Sequence, residues 1–169
     1  PYPLGLRLAA TAAKELAEPA ALESFRDLLA RNGLFVTGIN GFPYGTFHNA
    51  AVKTAVYQPD WSTPERLNYS GRLAAILAAL LPEGQAGNIS TVPLAYKGSG
   101  SRGRPPSNDN NASAPSVCVR SLAVMAEFLH DLKLSTGREI VLALEPEPDC
   151  LLEDTQEVIA WFEDELLAE

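Results

Sequence analysis

Three carboxylates follow an apolar segment near the end of the chain. Residues 140–144 form an unbroken apolar run, which is typical of a strand buried on both faces. Glu145, Glu147 and Asp149 come directly after it and are separated by prolines. Carboxylate oxygens on a rigid element bind hard cations such as Mg²⁺ or Mn²⁺, and a fixed carboxylate can also transfer a proton. In parallel α/β folds, ligands collect at this end of the strand.

We expect the three acids to have different roles. Glu145 is the candidate contact to a metal or substrate; the alternative is a carboxylate that caps a helix or pairs with an arginine. Glu147 and Asp149 are candidates for a general base or for a group that supports the metal ligand, the alternative being solvent exposure. In an extended segment stiffened by Pro146 and Pro148, alternation would direct all three carboxylates to the same side.

The remaining candidates follow two earlier predicted strands. His48 lies in a Gly-, Pro- and aromatic-rich segment, residues 41–61, and is a candidate catalytic, substrate or metal contact, or else a loop histidine bonded to backbone. The candidate substrate contacts are Asn40, Phe42, Tyr44, Trp61, Thr91 and Lys97. The aromatic rings could stack on a sugar or an aromatic metabolite, or fold the loop against the rest of the chain. Asn40 could orient a hydroxyl group or form a turn, and Lys97 could bind a phosphate or carboxylate or remain solvated.

Strands and helices alternate along the chain. Apolar segments at 4–8, 34–40, 88–94 and 140–144 predict four strands, and periodic apolar residues after each predict helices, with N-caps at Thr11, Ser62, Ser116 and Asp154. This order predicts a parallel sheet. Two strand-to-helix connections, 41–61 and 95–115, run to about twenty residues, against a usual two to six. Both leave the C-terminal ends of strands, so that face is the candidate functional face; the polar stretch 97–115 is expected to be a mobile or disordered loop.

The predicted fold class is α/β, a partial (β/α)8 TIM barrel of about four βα units. A complete barrel needs about 250 residues, whereas this chain has 169, starts in a strand and stops in a helix. We therefore expect residues 1–169 to form one domain that is a fragment of a barrel. The alternative is a closed four-unit sheet.

The composition excludes several classes of partner. Lys and Arg number 13 against 21 Asp and Glu, a net charge of -8, which argues against binding nucleic acid or an anionic membrane surface. The longest apolar run, 73–81, is far shorter than a membrane span. Cys118 and Cys150 fit two reduced thiols in a reducing compartment, so we expect a cytoplasmic protein. No phosphate-binding loop, dinucleotide fingerprint or nucleophile elbow is present in the sequence.

Five segments together resemble a known family. They are Gly5 to Leu8, Asn40 to Gly45 (NGFPYG), Val56 to Trp61, Ser90 to Leu94 and Leu144 to Glu153 (LEPEPDCLLE). The chain resembles EboE-like metabolite traffic proteins, within the xylose-isomerase-like TIM barrels of the sugar phosphate isomerase/epimerase superfamily. The resemblance implies a divalent metal (Mg, Mn or Zn) with Glu145 as its first ligand and the remaining ligands outside this chain.

The same resemblance implies two alternative functions. One is a metal-dependent isomerase- or epimerase-type enzyme acting on a small metabolite, so enzymatic activity stays an open question. The other is a non-catalytic metabolite-binding or traffic component of a secondary-metabolite export pathway. In either case other proteins of the same bacterial gene cluster are candidate partners.

Overall fold

Four parallel strands form one sheet in the order of the chain. The computed structural model describes residues 1–45, 55–97 and 114–167, without the side chains of residues 114 and 115. The strands are β1 (Tyr2–Arg7), β2 (Leu34–Asn40), β3 (Ala86–Thr91) and β4 (Glu139–Leu144), and each pairs with the next. The predicted alternation of strands and helices and the predicted parallel sheet are confirmed.

Helices connect successive strands. In the described residues they are α1 (Ala10–Leu16), α2 (Pro19–Arg31), α3 (Pro64–Leu80), α4 (Ala114–Thr136) and α5 (Thr155–Trp161), with a 3₁₀ turn at Ala55–Tyr57 and a π-helical turn at Phe162–Leu166. Pro19 and Pro64 occupy the first turns of their helices, where a missing N–H costs nothing. Gly33 and Gly137 follow α2 and α4 with φ of +65° and +70°, the left-handed conformation that ends a helix and returns the chain to the sheet.

Three of the four predicted N-caps are wrong. The helix assigned to Thr11 begins one residue earlier, at Ala10, and the helix assigned to Ser116 begins at Ala114. Ser62 does not cap α3 because Asp60, a buried carboxylate, accepts hydrogen bonds from both its N–H (3.0 Å) and its hydroxyl (2.5 Å). The fourth cap is confirmed, since Asp154 accepts the backbone N–H of Glu157 at 3.0 Å.

Three strands differ in extent from the sequence prediction, β4 only by beginning one residue earlier, at Glu139. β1 begins at Tyr2 rather than at residue 4. β3 ends at Thr91, before Pro93, and Leu94 adopts φ of +67° in the tight turns that follow. Proline has no N–H for a ladder bond, so the sheet pairing stops ahead of it. Residues 98–113 of the expected loop 97–115 lie outside the described residues.

One face of the sheet packs against the helices and the other is open. Along β3, Gly87, Ile89 and Thr91 are buried, whereas Asn88 between them is exposed. The buried residues join the core formed with α3, whose Leu77 approaches Gly87 so closely that a Cβ there would lie 2.9 Å from it. On β4 the opposite face is accessible, with Val141 52% exposed. A parallel sheet in chain order therefore presents one uncovered face in the described part of the chain.

Candidate functional site

Glu145 lies at the C-terminal end of β4. Its N–H donates to the carbonyl oxygen of Thr91 at 3.0 Å, which extends the pairing of β3 and β4 by one residue and fixes the backbone there. Alternation from Val141 and Ala143 places its side chain on the open face. The residue is half-buried, and no described side chain hydrogen-bonds or pairs with its carboxylate. Among the described residues, Glu145 therefore neither caps a helix nor pairs with an arginine.

Asp149 does not continue this arrangement. The chain turns after Glu147, whose carbonyl accepts the N–H of Cys150 at 3.2 Å, and Asp149 is exposed with φ of +64°. The expectation that all three carboxylates share one side of an extended segment is wrong, because this turn interrupts the extension. The Glu147 carboxylate instead accepts the hydroxyl of Tyr57 at 2.9 Å, so it is partnered rather than simply solvated.

Tyr57 is the centre of an aromatic cluster at this end of the sheet. Its ring stacks on Tyr96 with centroids 5.1 Å apart, and Phe42 meets it edge-on at 5.5 Å. Burial, followed by the hydrogen bond to Glu147, raises the pKa of Tyr57 well above its usual value. Burial likewise raises the pKa of Cys150, which contacts Tyr57, to about 11. Both groups stay protonated at neutral pH, so neither is a ready nucleophile or base.

Trp61 and Thr91 are buried in the core. Trp61 is fully buried and its indole N–H donates to the Thr91 hydroxyl at 3.2 Å, which joins the segment before α3 to the end of β3. Tyr44 packs edge-on against Tyr69, with centroids 5.1 Å apart. These positions, like the buried Phe42, agree with the alternative in which the aromatic residues fold the loop against the sheet and helices.

Lys97 and Asn40 are more accessible. The Lys97 ammonium forms an ion pair with Glu153, and its backbone N–H donates to the carbonyl of Asp149. Asn40 is exposed at the end of β2, and its side-chain oxygen accepts the N–H of Phe42 at 3.1 Å. It therefore forms a turn, as one alternative expected, while its amide group remains near the open face. His48 lies outside the described residues.

Arg66 anchors the segment that follows β2. The side chain is fully buried, and it donates to the carbonyl oxygens of Pro59 (2.7 Å), Gly41 (2.7 Å) and Phe42 (3.1 Å). Burial lowers its pKa to about 10, so the guanidinium is still charged at neutral pH. Sequence reasoning missed it, although its position three and seven residues before the buried Tyr69 and Leu73 marks it as part of the apolar stripe of α3.

A cleft of about 400 Å³ lies on the open face, in the C-terminal halves of β1, β2 and β3. Two rows of residues in register line it. One row is Gly5, Gly38 and Asn88, and the next is Arg7, Asn40 and Ser90. Of these only Asn40 was singled out from the sequence. For Asn88 and Ser90 the sequence did carry a signal, because these polar residues alternate with the apolar, buried Ile89.

The described residues contain no ready-made metal cluster. No group of three or more His, Cys, Asp and Glu side chains lies close enough together there to hold an ion. Within the same described ranges, no helix is both long and apolar enough to cross a membrane. Comparison of the chain with protein-family models, with curated proteins and with solved structures gave no match.

Proposed function

We propose that the chain forms part of a xylose-isomerase-like (β/α)8 barrel that binds a divalent metal and acts as an isomerase- or epimerase-type protein on a small polar metabolite. Two features of the fold support the barrel. The strands are parallel and in chain order, and among the described residues the sheet face opposite the helices is open. In a closed barrel that face becomes the interior, and ligands bind at the C-terminal ends of its strands.

The observation that carries the proposal is the position of Glu145. A half-buried carboxylate on a strand end, with its backbone held by Thr91 and no described partner for its oxygens, fits one ligand of a hard divalent cation. Further ligands are expected from residues that the structure does not describe or from outside this chain. When bound, the metal would polarise a carbonyl or hydroxyl group of the metabolite.

Other residues of the chain would hold the metabolite next to that position. Arg7, Asn40 and Ser90 lie in one row across β1, β2 and β3 and face the same open side as Glu145. Their hydrogen-bonding groups suit the hydroxyl groups of a polyol or sugar. Glu147, which accepts a hydrogen bond from Tyr57, would fix residues 145–147 at the end of β4.

Titration of Mn²⁺ into the full-length protein, which includes the ligands expected outside residues 1–169, tests the metal site by calorimetry and by loss of the free-ion electron paramagnetic resonance signal. We expect Glu145→Gln to weaken binding at least about 10-fold, since it removes a charged ligand worth more than about 1.4 kcal/mol. Asp149→Asn is the matched control, because it makes the same charge change four residues away at an exposed position where asparagine tolerates the positive φ. Equal Mn²⁺ affinity in wild type and Glu145→Gln, or no stoichiometric binding to either, would contradict the proposal.

The second candidate is a non-catalytic metabolite-binding or traffic component. It is favoured by the partnering of Glu147, the expected proton-transfer group, whose carboxyl oxygen accepts a hydrogen bond from the Tyr57 hydroxyl. The two functions differ in turnover. Incubation of the Mn²⁺-supplemented protein with aldose sugars, followed by ¹H NMR, would show conversion to a ketose or an epimer in an isomerase or epimerase, and unchanged sugars in a carrier.

A further inference from the structure

Two asparagines in the chain are followed directly by glycine, in Asn32-Gly33 and in Asn40-Gly41. Asparagine is a chemically labile residue, most of all in this context, because glycine has no Cβ to hinder the reaction. The backbone nitrogen of the glycine attacks the side-chain Cγ of the asparagine, and the amide nitrogen leaves as ammonia together with the glycine N–H proton. Water then opens the resulting succinimide ring to give aspartate or isoaspartate. Since the dipeptide is the same, the structure around each pair decides which one reacts.

The pair Asn32-Gly33 lies at the exposed end of α2. The Asn32 side-chain NH₂ donates to the carbonyl oxygen of Leu28 at 2.7 Å, and the Gly33 N–H donates to that of Ala30 at 3.1 Å. Both bonds belong to the last turn of the helix, where local opening has a small free-energy cost. A Cβ on Gly33 would meet nothing within 4 Å, so this glycine is not wedged against other residues. Opening one helical turn therefore frees the attacking nitrogen and its target carbon together.

The pair Asn40-Gly41 is held by the sheet and the core. Gly41 is buried, and its N–H donates to the carbonyl oxygen of Ser90 at 2.9 Å. A Cβ on Gly41 would lie 2.7 Å from the side chain of Leu73, so the backbone there packs without spare room. The Asn40 side-chain oxygen accepts the N–H of Phe42 at 3.1 Å, which also fixes Cγ. Bringing the Gly41 nitrogen to that carbon would break sheet and core contacts, which requires a larger opening of the fold.

We propose that Asn32 is a site of spontaneous deamidation in the folded protein, that the fold protects Asn40 from the same reaction, and that the modification loosens the junction between α2 and β1. Asn32 precedes β2 and lies at the opposite end of the sheet from Glu145, which follows β4. The site is therefore independent of the proposed metal and metabolite site.

The products of the reaction lose contacts that join α2 to β1. Aspartate and isoaspartate both lack the NH₂ group that donates to Leu28. Each adds a negative charge at the C-terminal end of α2, where the helix dipole is unfavourable for an anion. Isoaspartate also inserts an additional carbon into the backbone before Gly33, whose carbonyl oxygen accepts the N–H of Tyr2 at 2.8 Å. The start of β1 should therefore be held less firmly after the reaction.

Incubation of the folded protein at mildly alkaline pH, followed by peptide mass spectrometry with electron-transfer fragmentation, tests the site. The fragmentation locates the modified residue and separates isoaspartate from aspartate. We expect Asn32 to deamidate about 10-fold or more faster than Asn40, because releasing Gly41 from its hydrogen bond and packing costs at least the free energy of that factor. In urea the two rates should become similar, since both asparagines precede glycine.

Three results would overturn the proposed site. In the first, Asn40 reacts as fast as Asn32 in the folded protein. In the second, Asn32 reacts in the unfolded protein but stays intact in the folded one. In the third, the preference for Asn32 persists unchanged in urea, which would show that the local sequence and not the fold decides.

Two variants separate the reaction from its consequence. Asn32→Gln keeps an amide but forms the ring far more slowly, so it should remove the reaction at this position and leave that at Asn40 unchanged. Asn32→Asp reproduces the lost donor and the added charge. It should speed amide hydrogen exchange by about 5-fold or more in peptides that cover the end of α2 and β1.

Asn68→Asp is the matched control for the added charge. Asn68 is exposed on α3, where the same change should leave the exchange of the α2 and β1 peptides as it is in the wild type. Equal exchange of those peptides in wild type and Asn32→Asp would contradict the loosening of the junction between α2 and β1.

Discussion

The two cysteine thiols lie in the hydrophobic core. Cys118 and Cys150 are both fully buried, and the loss of water around each thiol raises its pKa, to about 12 and about 11. Neither forms a disulfide in the structure. Buried thiols of this kind are held as neutral, packed groups, which is what the sequence prediction of two reduced cysteines requires.

The raised thiol pKa predicts a loss of stability at alkaline pH. Between the unfolded value of 9.0 and the folded value of about 12, the folded chain keeps the Cys118 proton that the unfolded chain loses. The free energy of unfolding should therefore fall as pH rises from about 8 to about 10, by at most about 1.4 kcal/mol per pH unit above 9 for this thiol. Urea denaturation under reducing conditions at several pH values measures the slope.

Cys118→Ala is the comparison that isolates the thiol. The variant loses some packing at every pH, but its stability should change less steeply with pH over the same window. Identical slopes for the variant and the wild type would show that Cys118 does not titrate in this way.

Side chains of α3 bind the backbone segments that follow β1 and β2. Through Arg66 the helix binds both ends of the segment between β2 and α3, and through Tyr69 it binds the carbonyl oxygens of Leu8 (2.5 Å) and Pro43 (3.1 Å). The Arg66 guanidinium also lies 5.5 Å from the ring centre of Tyr69. One helix therefore positions the C-terminal ends of β1 and β2, including the turn that orients Asn40.

Arg66→Met should destabilise the fold strongly. Methionine preserves the apolar stem but leaves three carbonyl oxygens at Pro59, Gly41 and Phe42 without their donor, at a cost of about 3 kcal/mol or more. Arg72→Met on the same helix is the matched control, because Arg72 makes no hydrogen bond or ion pair with another described residue. It should change the free energy of unfolding by less than about 0.5 kcal/mol. Equal effects in urea denaturation would show that the carbonyl contacts of Arg66 contribute little.

Across the part of the chain that the structure describes, an open sheet carries helices on one side. Within the described residues, β2 and β3 are paired along both edges, whereas β1 and β4 are each paired along one. Unpaired edges exchange with solvent and can pair with other strands. An open arrangement of this kind agrees with a part of a larger barrel, and we expect the 169-residue chain by itself to be weakly stable.

Amide hydrogen exchange of this chain tests the arrangement. Amides of β2 and β3 should be protected more strongly than those of β1 and β4, because opening an edge strand breaks one ladder rather than two. Mass spectrometry of peptic peptides covering each strand measures the difference. Protection of β1 and β4 equal to that of β2 and β3 would contradict free edges and would indicate that another segment or a second copy covers them.

The elements themselves could be predicted from the sequence. The apolar run before Glu145, the prolines at the first turns of α2 and α3 and the glycines after α2 and α4 determine strands and helix ends through interactions only a few residues long. The order of these elements then predicted a parallel sheet with Glu145 at its C-terminal edge. These patterns can be interpreted from a few neighbouring residues, without knowledge of the rest of the fold.

Only the tertiary structure decided how the site is assembled. Tyr57 and Glu147, joined by a hydrogen bond, are 90 residues apart, and Arg66 reaches a carbonyl 25 residues away. Likewise, Arg7, Asn40 and Ser90 form one row because the register of β1 against β2 includes an irregularity that no local pattern encodes. The turn after Glu147, which takes Asp149 out of the extended segment, is accompanied by packing of Cys150 into the core. The sequence by itself determined where the carboxylates would emerge from the sheet, and long-range packing decided which side chains face the cleft beside them.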